Sequence, residues 1–352
     1  MVGSVFCSVG AQFIASIEGK KMLHPGMQQM PELAQRVQGE RNIPQGPPPR
    51  EVVLQTVGLT KAYGKRIAVN GLHLEVARGE VFGFLGPNGA GKTTTIRMLL
   101  NLIKPTFGEV RLFGQRLDQN ARDLLPRVGA LIEQPAFQSY LSGRDNLVVV
   151  GGYTGGVDPR RIDEVLEIVG LRERGVDRYS TYSLGMKQRL GVGAALLTDP
   201  ELIILDEPGN GLDPAGIVEM RELIRKLAQM NKTIFVSSHI LAEIRQFCTR
   251  IGIVRAGQLI ATGSVDELLR SSSRWEVEVE HPEQVCQLLA RVPILRSISI
   301  EQGVIIIQAP AMRGRDLIHY LAQHNVWPES VRRSEEDLEH IFLRLTDKEA
   351  GL

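Results

Sequence analysis

The chain has 352 residues, with 41 Lys and Arg against 40 Asp and Glu, 43% hydrophobic residues and 3 Cys. That length predicts two domains, or one large and one small, with ample material for a core, and a net charge of +1 gives no electrostatic case for nucleic acid or a polybasic membrane anchor. Cys7, Cys248 and Cys286 form no C-x-x-C spacing, which argues against a disulfide scaffold and structural zinc and for reduced thiols in a cytosolic protein.

Residues 1–50 are rich in Gly, Pro, Gln and Met, and Pro44-Gln45-Gly46-Pro47-Pro48-Pro49 continues no helix or central strand, so a disordered or loosely attached tail is expected. Val2 to Ile17 is broken by Ser4, Ser8, Gln12 and Ser16, whereas a spanning helix needs ~20 mostly apolar residues. Lys20 and Lys21 follow this stretch, where a signal peptide puts its charges first. It reads as an unstructured start, or as a translation start placed too far upstream.

At Val52 the texture changes. Short apolar runs alternate with helix-period stretches to about Thr262, the pattern of a mostly parallel sheet wrapped by helices, here assigned to residues 51–268. Val81 to Leu85, Leu202 to Leu205 and Thr233 to Val236 are continuous apolar strands, as expected where both sheet faces are covered. Asp158-Pro159 starts a helix whose Ile162, Val165, Leu166 and Val169 form one stripe and which Gly170 ends. Ile217, Met220, Ile224 and Leu227 repeat the stripe, and a hairpin turns at Ala256-Gly257.

Residues 270–352 read as a small α+β accessory domain. Trp275, Val277 and Val279 alternate with glutamates as a strand with one wet face. A helix (Glu283 to Arg291), two strands around Gln302-Gly303, a helix (Gly314 to Gln323) and a strand near Val331 complete a ferredoxin-like β-α-β-β-α-β order, and a last helix carries Leu338, Ile341, Phe342 and Leu345.

Chemistry enters at Gly86-Pro87-Asn88-Gly89-Ala90-Gly91-Lys92-Thr93, which fits G-x-x-x-x-G-K-[ST] between the strand ending at Leu85 and the helical run Ile96 to Leu100, and which with Thr94 makes up the expected phosphate-binding set. Glycines there let backbone N–H groups turn inward around phosphate oxygens, and the helix adds its positive dipole end. Lys92 reaches the β- and γ-phosphates and the Thr93 hydroxyl binds Mg²⁺, so ATP with Mg²⁺ is the expected ligand pair. Leu202-Ile203-Ile204-Leu205-Asp206-Glu207 then ends a strand in two carboxylates, Asp206 for the metal shell and Glu207 for a water in line with the γ-phosphate.

Between them, Tyr182-Ser183-Leu184-Gly185-Met186-Lys187-Gln188-Arg189 resembles the signature of the ATP-binding-cassette (ABC) family, a Leu-Ser-Gly-Gly-Gln segment opening a helix before the second carboxylate strand. Tyr182, Leu184 and Met186 depart from that pattern. The resemblance covers about residues 52–265 and is nearest to cassettes of drug and peptide-antibiotic exporters of the bacitracin-resistance type. It implies a P-loop NTPase fold with a helical and an antiparallel β subdomain. Ser183, Leu184, Gly185 and Met186 would act in trans on ATP held by a second copy, and Gly211, Leu212 and Asp213 would form the D-loop, although Gly209 stands where Thr or Ser is usual. His239 would contact the γ-phosphate and Tyr63 would stack on adenine, while the Q-loop glutamine falls on Glu133 or Gln134.

A self-paired ATPase subunit, held at the inner face of the cell membrane by separately encoded membrane subunits, is therefore expected. Two other readings compete with it. A soluble cassette acting on ribosomes or DNA usually has two cassettes or a long heptad insertion, and this chain has neither. A regulator that no longer hydrolyses is opposed by the presence of Lys92, Asp206, Glu207 and His239. Substrate contacts would lie in the membrane subunits, so drug export is family analogy.

Overall fold

The three apolar runs become three adjacent strands of one sheet. From Val52 the chain passes through β1 (Val52–Tyr63), β2 (Arg66–Ala77), β3 (Val81–Leu85), α1 (Lys92–Leu99), β4 (Phe107–Leu112), β5 (Gln115–Arg116), α2 (Leu117–Leu124) and β6 (Val128–Leu131). It continues with α3 (Gly143–Tyr153), α4 (Pro159–Ile168), α5 (Leu184–Leu196), β7 (Leu202–Asp206), α6 (Pro214–Gln229), β8 (Thr233–Ser238), α7 (Leu241–Ile244), β9 (Arg250–Arg255) and β10 (Gln258–Ser264). The computed structural model describes residues 51–133, 135–265, 267, 273–290, 292, 295, 297–308 and 313–335. The tail, Gln134 and the helix expected at Leu338 to Leu345 lie outside them.

The main sheet has the order β10-β9-β3-β8-β7-β6, parallel throughout except for β10. Every residue of β3, β7 and β8 is buried, which is why these strands read as unbroken apolar runs. β6 is shorter and half-covered, too weak a pattern to stand out in the sequence. A second, antiparallel sheet, β2-β1-β4-β5, packs Leu54, Leu59, Leu72 and Val110 against Phe82, Phe84 and Phe235. The hairpin between β9 and β10 turns on Ala256 (φ 46°) and Gly257 (φ 79°), the left-handed pair that a tight two-residue turn requires.

Helices α3, α4 and α5 share one core, in which Leu147, Ile162, Val165 and Leu190 are buried. Asp158 caps α4 by accepting from Arg160 N at 2.8 Å, and Gly170 leaves it in the left-handed region (φ 67°). Ser142 caps α3 by accepting from Asp145 N, which puts the Asp145 carboxylate in the first turn, where the helix dipole favours it.

β11 (Ser273–Glu278), α8 (Pro282–Leu289), β12 (Ser297–Glu301), β13 (Val304–Gln308), α9 (Gly314–Gln323) and β14 (Ser330–Glu335) follow. Their antiparallel sheet has the order β12-β13-β11-β14. Trp275, Val277, Ile305 and Ile307 meet Leu289, Leu317 and Leu321 in a core of their own. Pro282 opens α8 one residue ahead of the expected Glu283, as a proline at a first helical position does.

Candidate active site

Parallel register builds the site. Leu85 of β3 stands opposite Ser238 of β8, and Ser237 stands opposite Asp206 of β7. The residues just past these strand ends are Gly86, Glu207 and His239, so three distant segments converge on one edge of the sheet, outside the carboxyl ends of its strands. Gly86 N donates to Ser238 O at 3.2 Å and pins the first of them.

The loop from Gly86 to Gly91 leads directly into α1, whose first residues are Lys92 and Thr93. Gly91 ends it at φ 104°, and a Cβ there would stand 2.5 Å from Ala68 O, so no side chain fits. Asn88, Gly89, Lys92, Thr93, Thr94 and Glu207 line a cavity of about 170 Å³. That is smaller than the ~300–1,000 Å³ that encloses a whole ligand, and suits a phosphate chain with the rest of a nucleotide outside. Ala90 is on the other side of the loop, buried, with its carbonyl accepting from Gly257 N.

Lys92 is 5% exposed, and a buried ammonium needs partners for its three N–H groups. It finds Gly86 O at 2.7 Å, Pro87 O at 3.2 Å and Glu207 Oε1 at 3.0 Å. The other Glu207 oxygen, Oε2, is 2.9 Å from His239 Nδ1. Burial opposes the Glu207 charge, but the Lys92 hydrogen bond and charge, helped by His239, outweigh it and hold the carboxyl below its ordinary value. Glu207 is thus ionised at neutral pH.

Its backbone is also special. Glu207 has φ 47°, a left-handed conformation that costs a non-glycine residue ~1–3 kcal/mol. Ser237 helps to hold it, accepting from Glu207 N at 3.0 Å while donating to Asp206 Oδ1 at 2.5 Å. Ser237 therefore fixes the Asp206 carboxylate and the backbone that carries Glu207. It was not singled out from sequence; aligning β7 and β8 in parallel register would have found it. Arg66, which lines the cavity from the start of β2, left no sequence signal at all.

The remaining expected residues fall in separate places. Tyr63 ends β1 opposite Arg66, half-exposed, with Lys61 Nζ 5.2 Å from its ring centroid. Ser183 is exposed and caps α5, accepting from Met186 N at 3.2 Å, and it does not line the cavity. Leu184 lies against Gly211, and Gly185 faces Leu212, so the signature segment and the 211–213 loop are neighbours, while Asp213 caps α6 by accepting from Gly216 N. Met186 packs partly into the helical core. Glu133, in the left-handed region (φ 59°), pairs with Arg97 of α1 at 2.6 Å.

The departure at Tyr182 has a structural reason. Its buried hydroxyl donates to Arg174 O at 2.7 Å, and Gly143 leaves the room that the ring needs at the start of α3. Its ring tilts on Tyr179, which meets Phe137 edge-on at 5.3 Å and donates to Pro135 O at 3.2 Å. The aromatic set joins the helix carrying Ser183 to the segment following Glu133.

Comparison with known proteins agrees with this geometry. The ABC transporter family profile matches residues 69–210. The bacitracin transport ATP-binding protein BcrA of Bacillus licheniformis is 41% identical over 83% of this chain and 97% of its own length. The daunorubicin resistance ATP-binding protein DrrA3 of Streptomyces coeruleorubidus is 35% identical, over 82% of this chain and 94% of its own. A solved ATP-binding subunit of an ABC transporter superimposes with a TM-score of 0.56 at 29% identity, over 62% of this chain and 92% of that one. With its phosphate loop, paired carboxylates and histidine on the edge of a parallel sheet, the chain belongs to the ABC transporter ATP-binding proteins, the ATPases of those transporters.

Proposed function

We propose that this ATPase powers export of a peptide antibiotic or similar drug, working as an ATP-sandwiched dimer beneath separately encoded membrane subunits. The Lys92–Glu207–His239 constellation carries the reading, because it joins phosphate recognition to a carboxylate and an imidazole suited to water activation. Glu207 orients the attacking water, His239 holds Glu207 and reaches the γ-phosphate, and Lys92 exchanges its protein partners for phosphate oxygens. Ser183, exposed at a helix N-terminus and away from the cavity, is placed to grip the γ-phosphate bound by a second copy, with Gly211, Leu212 and Asp213 beside it at the same interface. Glu133, or its neighbour Gln134, is the Q-loop residue.

Mg²⁺ fits the donors present. Thr93 and Asp206 offer hard oxygen atoms, and among the described residues no cluster of three or more His, Cys, Asp or Glu could hold a metal by itself. A cation bound by one or two protein oxygens and completed by phosphates is the usual Mg²⁺ arrangement, and it would neutralise charge developing on the phosphoryl group.

Among the described residues no helix is long and apolar enough to cross a membrane, and the proposal assigns the membrane path to partner subunits. Tyr140, Val148, Val149 and Tyr153, exposed on α3 and the loop before it, are an apolar surface suited to them. The unit at 270–352 is read as accessory to the cassette at 51–268. Expressed together with its membrane subunits in a drug-sensitive host, the chain should raise bacitracin resistance, and the Lys92→Ala form should not. Equal resistance with both forms would reject the export reading.

Tyr63 supplies a narrower test. Stacking on a base contributes ~1–3 kcal/mol, so Tyr63→Ala should weaken ATP binding about 5- to 150-fold, whereas Tyr63→Trp should bind nearly normally. Calorimetry decides it: unchanged affinity in Tyr63→Ala makes Tyr63 a turn residue only.

A further inference from the structure

Glu207 also lines a second cavity, of about 30 Å³, whose walls include Gly209, Arg221, His239 and Glu243 beside Asn210, Ser237, Ser238 and apolar side chains. It is far too small for a small-molecule ligand, so its groups act on one another. Glu243, on α7, comes four residues after His239. Its Oε2 lies so close to the chain at Gly209 that a Cβ there would stand 3.2 Å away. Gly209 is also the position at which this sequence lacks the usual Thr or Ser. The missing side chain is thus the seat of a carboxylate.

Several charges face that seat. Burial pushes the Glu243 carboxyl above its ordinary value, His239 and Arg221 pull it back, and Glu207 adds to the push. Arg221 comes from α6, and its Nε is buried with no hydrogen-bond acceptor among the described residues. Glu207, which touches the imidazole at 2.9 Å, is itself tied to Lys92. Glu243 thus shares a cavity wall with the imidazole that Glu207 holds, and its side chain limits the space into which the ring can turn out of that contact.

We propose that Glu243 is a positioning residue for ATP hydrolysis, keeping His239 aligned with Glu207 and linking that pair to the loop at Gly209. The proposal rests on the reading of Glu207 and His239 as the hydrolytic pair. Glu243 acts through His239 and touches no reacting atom.

The test is a double-mutant cycle on the full-length ATPase, with Mg²⁺-ATP as substrate. Glu243→Ala should lower kcat about tenfold while KM for ATP stays within about twofold, since alignment is lost and binding is not. Glu243→Asp should recover most of that loss. In a His239→Ala background Glu243→Ala should cost nothing further. Glu243→Gln, nearly isosteric, guards against a folding artefact and should also lose kcat if the charge matters. The proposal fails if Glu243→Ala and Glu243→Gln both keep kcat within about twofold of wild type, or if Glu243→Ala costs the same factor with and without the imidazole. A Glu207→Gln control separates the two levels: near-normal turnover there overturns the pair reading and this proposal together, whereas a dead control beside a normal Glu243→Ala overturns only this one.

Discussion

Glu207→Gln is expected to bind ATP and almost stop hydrolysing it, with kcat down by ~10²–10³ or more. The amide keeps the shape and can accept a hydrogen bond, but it lacks the charge that polarises water. A second consequence follows from Lys92. In the variant this buried ammonium keeps two carbonyl acceptors but loses its counter-ion. ATP phosphates then become its anion, so ATP should raise the melting temperature more in the variant than in wild type. ATP-bound dimer should also accumulate on gel filtration. Hydrolysis within a few-fold of wild type would remove Glu207 from the mechanism.

The second expected result concerns how many chains make one site. Lys92→Ala and Ser183→Arg homodimers should each be nearly inactive, because both sites of each carry a lesion. When the two chains are mixed, one site of a heterodimer collects both lesions and the other collects neither. Random pairing of equal amounts makes about half of the dimers mixed, so roughly a quarter of all sites are whole. ATPase activity should therefore reappear after the two variants are unfolded and refolded together, with each alone as control. A mixture as dead as its parents, when wild type survives the same handling, means that Ser183 does not act in trans or that the two sites turn over only as a pair. A tandem-linked heterodimer that binds ATP at its intact site without turnover would identify the second case.

Legibility in the sequence followed burial. β3, covered on both faces, was readable because nothing but apolar residues can occupy it, and the glycine loop after it was readable because its spacing is dictated by phosphate geometry. The bounds of α9, Gly314 to Gln323, were legible as well. β1 and β2 did not, because irregular register at Gly58 and elsewhere along the pair breaks the two-residue period over their lengths. Ser237 and Glu243 were hidden for another reason. Each faces residues brought close only by strand register or by the turn between β8 and α7, and no local pattern records that. Tyr182 shows the converse: it breaks the signature pattern in sequence, and only Gly143 and Arg174 O reveal how it is accommodated.

The central place of β3 has a bearing on how the protein is made. Its hydrogen-bonding neighbours are β8 and β9, and Thr249 Oγ1, which accepts from Val81 N, is 168 residues further along the chain. On a ribosome adding ~5–20 residues per second, the strand bearing the phosphate loop would wait roughly 10–30 s for its partners. For that interval a five-residue apolar strand has both edges open, the condition in which nascent chains stick to one another. Nucleotide cannot shelter it, since Glu207 and His239 are made later than the loop they complete. The delay falls to chaperones, or to early packing of Phe82 and Phe84 against the antiparallel sheet, whose β1 and β2 leave the ribosome first.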